Sequence, residues 1–255
     1  MLWGAIWLPI ATVVAKLIDW QPNKLITVRQ KLILIASLYP LAPIIIYLMA
    51  RMENTSFADY GLNWQPSIFA SVAIGVGWGV ISLIIIFVLE SLLGSIEWEW
   101  SNIPRLFPLG LSLFVLGLAI ALIEELVFRG FILNQLEKDY TYALAAAISS
   151  LIFALLHLIW SPKETLPQIP GLWLMGMILV GARLVDYGNL GLAIGLHTGW
   201  IFSLFCVDST ELITYTDKNR PWLTGIKQQP LAGLAGILGL LITAIALTVR
   251  FRYFI

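Results

Sequence analysis

An apolar run from 107 to 134 is broken by three charges, Glu124, Glu125 and Arg129, in the stretch IEELVFR. A charge at the centre of a membrane-spanning helix costs roughly 2.5–3.5 kcal/mol, so the three would cost on the order of 8–10 kcal/mol if central and unpaired. Helical spacing offsets part of this. Glu125 and Arg129 are four residues apart on one face, with the acid toward the N-terminus, the favourable order for an ion pair. Glu124 lies about 100° around the helix. One carboxylate is thus neutralised locally and the other is left for a different task. The only two histidines, His157 and His197, fall in two further apolar runs. Ionisable residues inside spans are functional-site hypotheses by default. A carboxylate and two imidazoles on three helices can converge inside a bundle. There they can activate a water and stabilise an oxyanion, or hold a divalent metal such as zinc. The plainer alternatives are a buried ion cluster that only fixes helix packing, charges solvated at the membrane interface, and hydrogen-bonded core histidines.

The elements that must position these groups follow from composition. The 255-residue chain is 59% hydrophobic and only 12% charged, against roughly 25% charged in an average soluble domain. This is membrane-protein composition. Zero net charge gives no electrostatic footprint for nucleic acid. A single cysteine, Cys206, excludes an internal disulfide framework and a cysteine-based zinc cluster. Eight apolar runs approach the roughly 20 residues of a span: 2–18, 32–50, 67–94, 107–134, 141–160, 170–186, 189–207 and 230–249. Lys16 weakens the first run, and Pro170 and Arg183 bracket the sixth. The first run lacks a basic start and a small-residue cleavage site, so it reads as a retained helix. Trp20, Trp64, Trp98, Trp100, Trp160 and Trp222 mark the run ends as an aromatic belt. Residues 208–229 read as an extramembrane loop, and no strand alternation is visible. The expectation is an integral, multi-pass membrane protein: an all-α, polytopic transmembrane helix bundle of seven or eight spans. Residues 1–255 read as a single membrane-embedded domain with its core at 107–207.

With these motifs in order, the sequence resembles the CPBP or Abi family of intramembrane proteases, which includes the type II CAAX prenyl endopeptidases. The motif E-E-x-x-x-R is matched by Glu124, Glu125 and Arg129, F-x-x-x-H by Phe153 and His157, and the first position of H-x-x-x-N/D by His197. The resemblance implies a membrane-embedded endopeptidase that cleaves a membrane-associated protein or peptide. Its partners would be that substrate and the lipid bilayer. Glu124 and His157 would activate the attacking water, and His197 with position 201 would support the oxyanion. Glu125 and Arg129 would hold the helix face, and Phe153 would pack beside His157. The chain departs from the pattern at Ile201, whose side chain donates no hydrogen bond. Loss of one oxyanion donor costs roughly 10²–10³ in rate. Thr198, Trp200 and Asn189 are candidate substitutes, Trp200 because it shares a face with His197. A slower peptidase and a non-catalytic scaffold or immunity protein are the alternatives. A metal-dependent peptidase with Glu124, His157 and His197 as ligands is a further reading, although no H-E-x-x-H motif is present. The metal-free form is the expectation.

Overall fold

The computed structural model describes residues 2–21, 26–159 and 161–253, which leaves Trp160 outside the described residues. The chain divides into two compact units, Met1–Asp59 and Tyr60–Ile255.

The first unit holds α1 (Leu2–Leu17), α2 (Val28–Leu38) and α3 (Leu41–Glu53). A capping box starts α2: Thr27 Oγ1 accepts the Gln30 N–H at 3.3 Å, and Gln30 Oε1 accepts the Thr27 N–H at 3.1 Å. The Trp7 indole donates to Ser37 Oγ at 3.0 Å and ties α1 to α2. The apolar run 32–50 becomes two helices because Pro40 has no N–H to continue the hydrogen-bond ladder. Asn54 ends α3 in the left-handed region, at φ 55°.

The second unit begins with α4 (Pro66–Leu92), β1 (Ile96–Trp98) and α5 (Leu106–Glu125). A π-helical segment, Leu126–Ile132, follows α5 and leads into α6 (Leu133–Leu136). The remaining elements are α7 (Tyr142–Leu156), α8 (Pro162–Thr165), α9 (Ile169–Val185), α10 (Gly191–Thr210), β2 (Ile213–Tyr215), α11 (Pro221–Thr224) and α12 (Leu234–Tyr253). Among the described residues, six helical stretches are long and apolar enough to cross a membrane, and two shorter apolar helices join them. Among the described residues each of the eight apolar runs is mostly helical, and the chain is an integral, multi-pass helix bundle.

The centre of this unit is α10, in which every residue from Gly191 to Trp200 is buried. A helix buried on all sides must be surrounded by others. It packs in parallel against α4 through glycines: Gly75 and Gly79 on α4 meet Gly195 and Gly199 on α10, and Gly191 meets Ile68 and Ser71. A Cβ on Gly195 would lie 2.2 Å from the Val72 carbonyl oxygen, so the two backbones touch. On its other side α10 meets α5, where the Phe114 and Phe202 rings pack edge to face at 5.6 Å.

Two three-residue strands, too short to show alternation, pair antiparallel with Ile96 opposite Tyr215. Part of the expected 208–229 loop is therefore ordered structure. The Arg105–Glu211 ion pair at 3.0 Å and the Thr216 hydroxyl on the Gly94 carbonyl at 2.6 Å close the same end. Trp98 stacks on Trp100 at 5.4 Å there. Trp64, Trp100 and Trp222 are exposed beside helix starts.

Candidate active site

The last turn of α5 delivers Glu124 and Glu125 side by side, and both are buried with Arg129. Glu125 Oε1 accepts from Arg129 Nη1 at 3.0 Å. The same oxygen lies 2.7 Å from Nδ1 of His197, on α10. A carboxylate that already takes the guanidinium's hydrogen bond is an acceptor, so the His197 proton sits on Nδ1. His197 Nε2 then points toward Glu124, whose Oε2 lies 3.7 Å away. The ring is clamped between two adjacent carboxylates. Glu125 therefore serves two partners through one oxygen, more than the pairing with Arg129 read from spacing.

Phe153, on α7, holds the rest together. Its ring has no solvent exposure. The Arg129 guanidinium carbon sits 4.3 Å from the ring centroid, a cation–π contact inside an apolar interior. The rings of Phe128, His157 and His197 lie at 5.2, 4.6 and 6.0 Å, all edge to face. His157 caps the C-terminus of α7, and its Nδ1 lies 2.8 Å from the Phe153 carbonyl oxygen. A carbonyl only accepts, so Nδ1 carries the proton and Nε2 keeps its lone pair. Both histidines are thus held through Nδ1, with Nε2 left facing the other groups of the cluster. Phe153 brings both imidazoles and the guanidinium to one aromatic ring, while Glu124 and Glu125 reach it through His197 and Arg129.

Position 201 lies elsewhere. A Cβ built on Gly117 of α5 would meet Ile201 Cγ2 at 3.4 Å, so Ile201 packs two turns along α5 from Glu124. The three candidate substitutes are engaged elsewhere. The Thr198 hydroxyl donates to the Ile194 carbonyl at 2.7 Å, the Trp200 indole to Ser82 Oγ at 2.9 Å, and Asn189 Oδ1 accepts from the Gly191 N–H at 2.8 Å. Among the described residues, no group of three or more His, Cys, Asp or Glu side chains is gathered as metal ligands would be.

The supporting backbone is the part that sequence reasoning missed. The widened hydrogen-bond ring of a π-helix disturbs the carbonyl pattern, and such turns are frequent at functional sites. Here two of its carbonyls are capped from other helices. Ser149 of α7 donates to the Phe128 carbonyl at 2.7 Å, and the Arg183 guanidinium of α9 donates to that of Arg129. Gly130 lets the segment approach Tyr60, where a Cβ would stand 3.0 Å from the carbonyl oxygen. The available signal was Arg183 itself, a charge inside an apolar run.

No curated protein and no solved structure matches the chain. One family model, described as Type II CAAX prenyl endopeptidase Rce1-like, matches residues 106–203. That interval opens at the start of α5 and closes within α10, and so contains Glu124, Glu125, Arg129, Phe153, His157 and His197. At family level the match supports a CAAX-type protease in the bilayer, for which a peptide substrate fits in general. Residues 106–203 are thus similar to the Rce1-like type II CAAX prenyl endopeptidases, a match that supports the CPBP and CAAX protease family.

Proposed function

We propose that the chain is an intramembrane endopeptidase that hydrolyses a peptide bond in a membrane-associated protein or peptide. Glu124 is the general base: it takes a proton from water as the oxygen attacks the scissile carbonyl, and later returns it to the leaving amine. His157 accepts the water's other hydrogen at Nε2 and orients it. His197 faces the developing oxyanion with Nε2. The proton that Glu124 has taken from water is shared toward Nε2, which then donates to the oxyanion until the proton passes back through Glu124 to the leaving amine. Glu125 steadies the ring through Nδ1. Arg129 balances Glu125, so the second carboxylate does not compete for the same proton. The observation that carries this reading is the clamp of His197, with Glu125 on Nδ1 at 2.7 Å and Glu124 facing Nε2 at 3.7 Å.

The experiment is cleavage of prenylated and unprenylated peptide substrates by the purified full chain in liposomes. Glu124→Gln and His157→Ala are expected to abolish turnover without loss of folded protein. Full activity in Glu124→Gln would sink the assignment. A non-catalytic scaffold is the second reading, and Ile201 on Gly117 favours it, because an apolar contact occupies the position where the family has an oxyanion donor. It predicts that alanine at Glu124 and His157 leaves the cellular phenotype intact.

A further inference from the structure

Arg183 is a second guanidinium buried within the bundle, on α9, and no family motif includes it. Its hydrogen bonds span three oxygens. Nη1 donates to the Arg129 carbonyl and, at 2.8 Å, to Asn134 Oδ1, while Nε donates to the Gly188 carbonyl at 3.1 Å. The first two acceptors lie on and just past the π-helical segment that carries Arg129. The third lies in the turn that starts α10, the helix of His197. That turn is itself anchored. Asp186 accepts from the Leu192 N–H at 3.0 Å and from the Ser71 hydroxyl at 2.7 Å, and the Leu190 N–H donates to the Gly61 carbonyl at 2.8 Å.

One planar cation therefore spans the backbone of the first motif helix and the turn before the third. A guanidinium offers five donors in a fixed fork, whereas an ammonium is a point charge on a flexible stem. We propose that Arg183 is a positioning residue: by joining the Arg129 carbonyl to the Gly188 turn it sets the register between Glu124–Glu125 and His197. The inference rests on the peptidase reading for its kinetic consequence, but its geometric content does not. It predicts that the 2.7 Å hydrogen bond between His197 Nδ1 and Glu125 depends on a residue that touches neither.

The test uses the full chain in detergent micelles, labelled with [15N]histidine. The two ring systems are separated by a His157→Gln control. Wild-type protein is expected to show a strongly downfield His197 Nδ1 proton, and Arg183→Lys to move it upfield. The same variant is expected to lose kcat about 10–100-fold, with KM unchanged and the pH profile displaced rather than merely scaled down. An unchanged resonance in folded Arg183→Lys overturns the inference. Should that variant not fold, Asn134→Asp leaves Arg183 in place and draws Nη1 away from the Arg129 carbonyl. It is expected to shift the same resonance upfield, and no shift would again overturn the inference. An active Glu124→Gln variant strikes the peptidase reading and leaves the resonance result standing. An inert Glu124→Gln beside an unperturbed Arg183→Lys strikes the positioning role alone.

Discussion

Phe153→Leu tests the aromatic hub with little change in volume. Leucine keeps the site apolar but removes the face on which Arg129 rests at 4.3 Å and the edge contact with Phe128 at 5.2 Å. A desolvated cation–π contact is worth about 2 kcal/mol. An aromatic pair adds about 0.5–1.5 kcal/mol beyond area burial. The sum is about 3 kcal/mol, or roughly a 100-fold shift in the unfolding equilibrium at 1.4 kcal/mol per tenfold. Phe202→Leu is the matched comparison. That ring makes an edge-to-face pair with Phe114 at 5.6 Å, and among the described residues no cation stands over it. It is expected to cost about 1 kcal/mol. Reversible unfolding in mixed micelles, followed through the chain's 11 tryptophans, measures both variants. Phe153→Leu costing no more than Phe202→Leu would refute the hub. Arg129 would then be held by Glu125 alone.

Other outcomes follow from the same geometry. Gly195→Ala places a methyl 2.2 Å from the Val72 carbonyl and must part α4 from α10, so little monodisperse protein is expected on gel filtration. Glu90→Leu is expected to stabilise the fold by about 1–3 kcal/mol, read by the same micelle titration, because both Glu90 carboxyl oxygens are buried with no hydrogen-bond partner among the described residues. Protein freed of metal by strong chelation is expected to keep its peptidase activity. Loss of activity that zinc restores would favour the metal-dependent reading. The Ser56 hydroxyl and backbone N–H hold the Asp59 carboxyl below its ordinary range. A depressed folded-state pKa gives a contribution that is present above the unfolded value and lost as pH falls through the folded one. Ser56→Ala is therefore expected to raise the Asp59 titration midpoint, measured by carboxyl NMR.

The Glu125–Arg129 pair was legible because it is local: four residues on a helix determine who can meet. The apolar runs were legible as helical because a bilayer demands long apolar stretches, although run 32–50 splits into α2 and α3. What Glu125 does with its second hydrogen bond was not, since His197 lies 72 residues away and nothing in the spacing ranks the two glutamates for it. The π-helical turn was hidden for a related reason. Its acceptors are satisfied by Ser149 and Arg183, and no window around Leu126–Ile132 contains either. Phe153 was legible as a motif residue, but its contacts with Arg129 and His197 needed three helices in place. Trp200 shares a face with His197 as its spacing says, yet its N–H goes to Ser82, because α4 comes close enough across the glycines to offer a hydroxyl.

The placement of Arg129 on the same helical rod as Glu125 also bears on the order in which the protein is made. Residues leave the ribosome at roughly 5–20 per second, so His197 emerges about 4–14 seconds after Glu125. During that interval the first motif must already enter the bilayer. A counter-ion four residues away travels with the acid and needs no later helix. His197 carries no such companion, and it arrives when α4, α5, α7 and α9 have already been synthesised. The ion pair thus offsets two of the segment's three charges before α10 is made, and the last motif helix brings His197 to the two carboxylates.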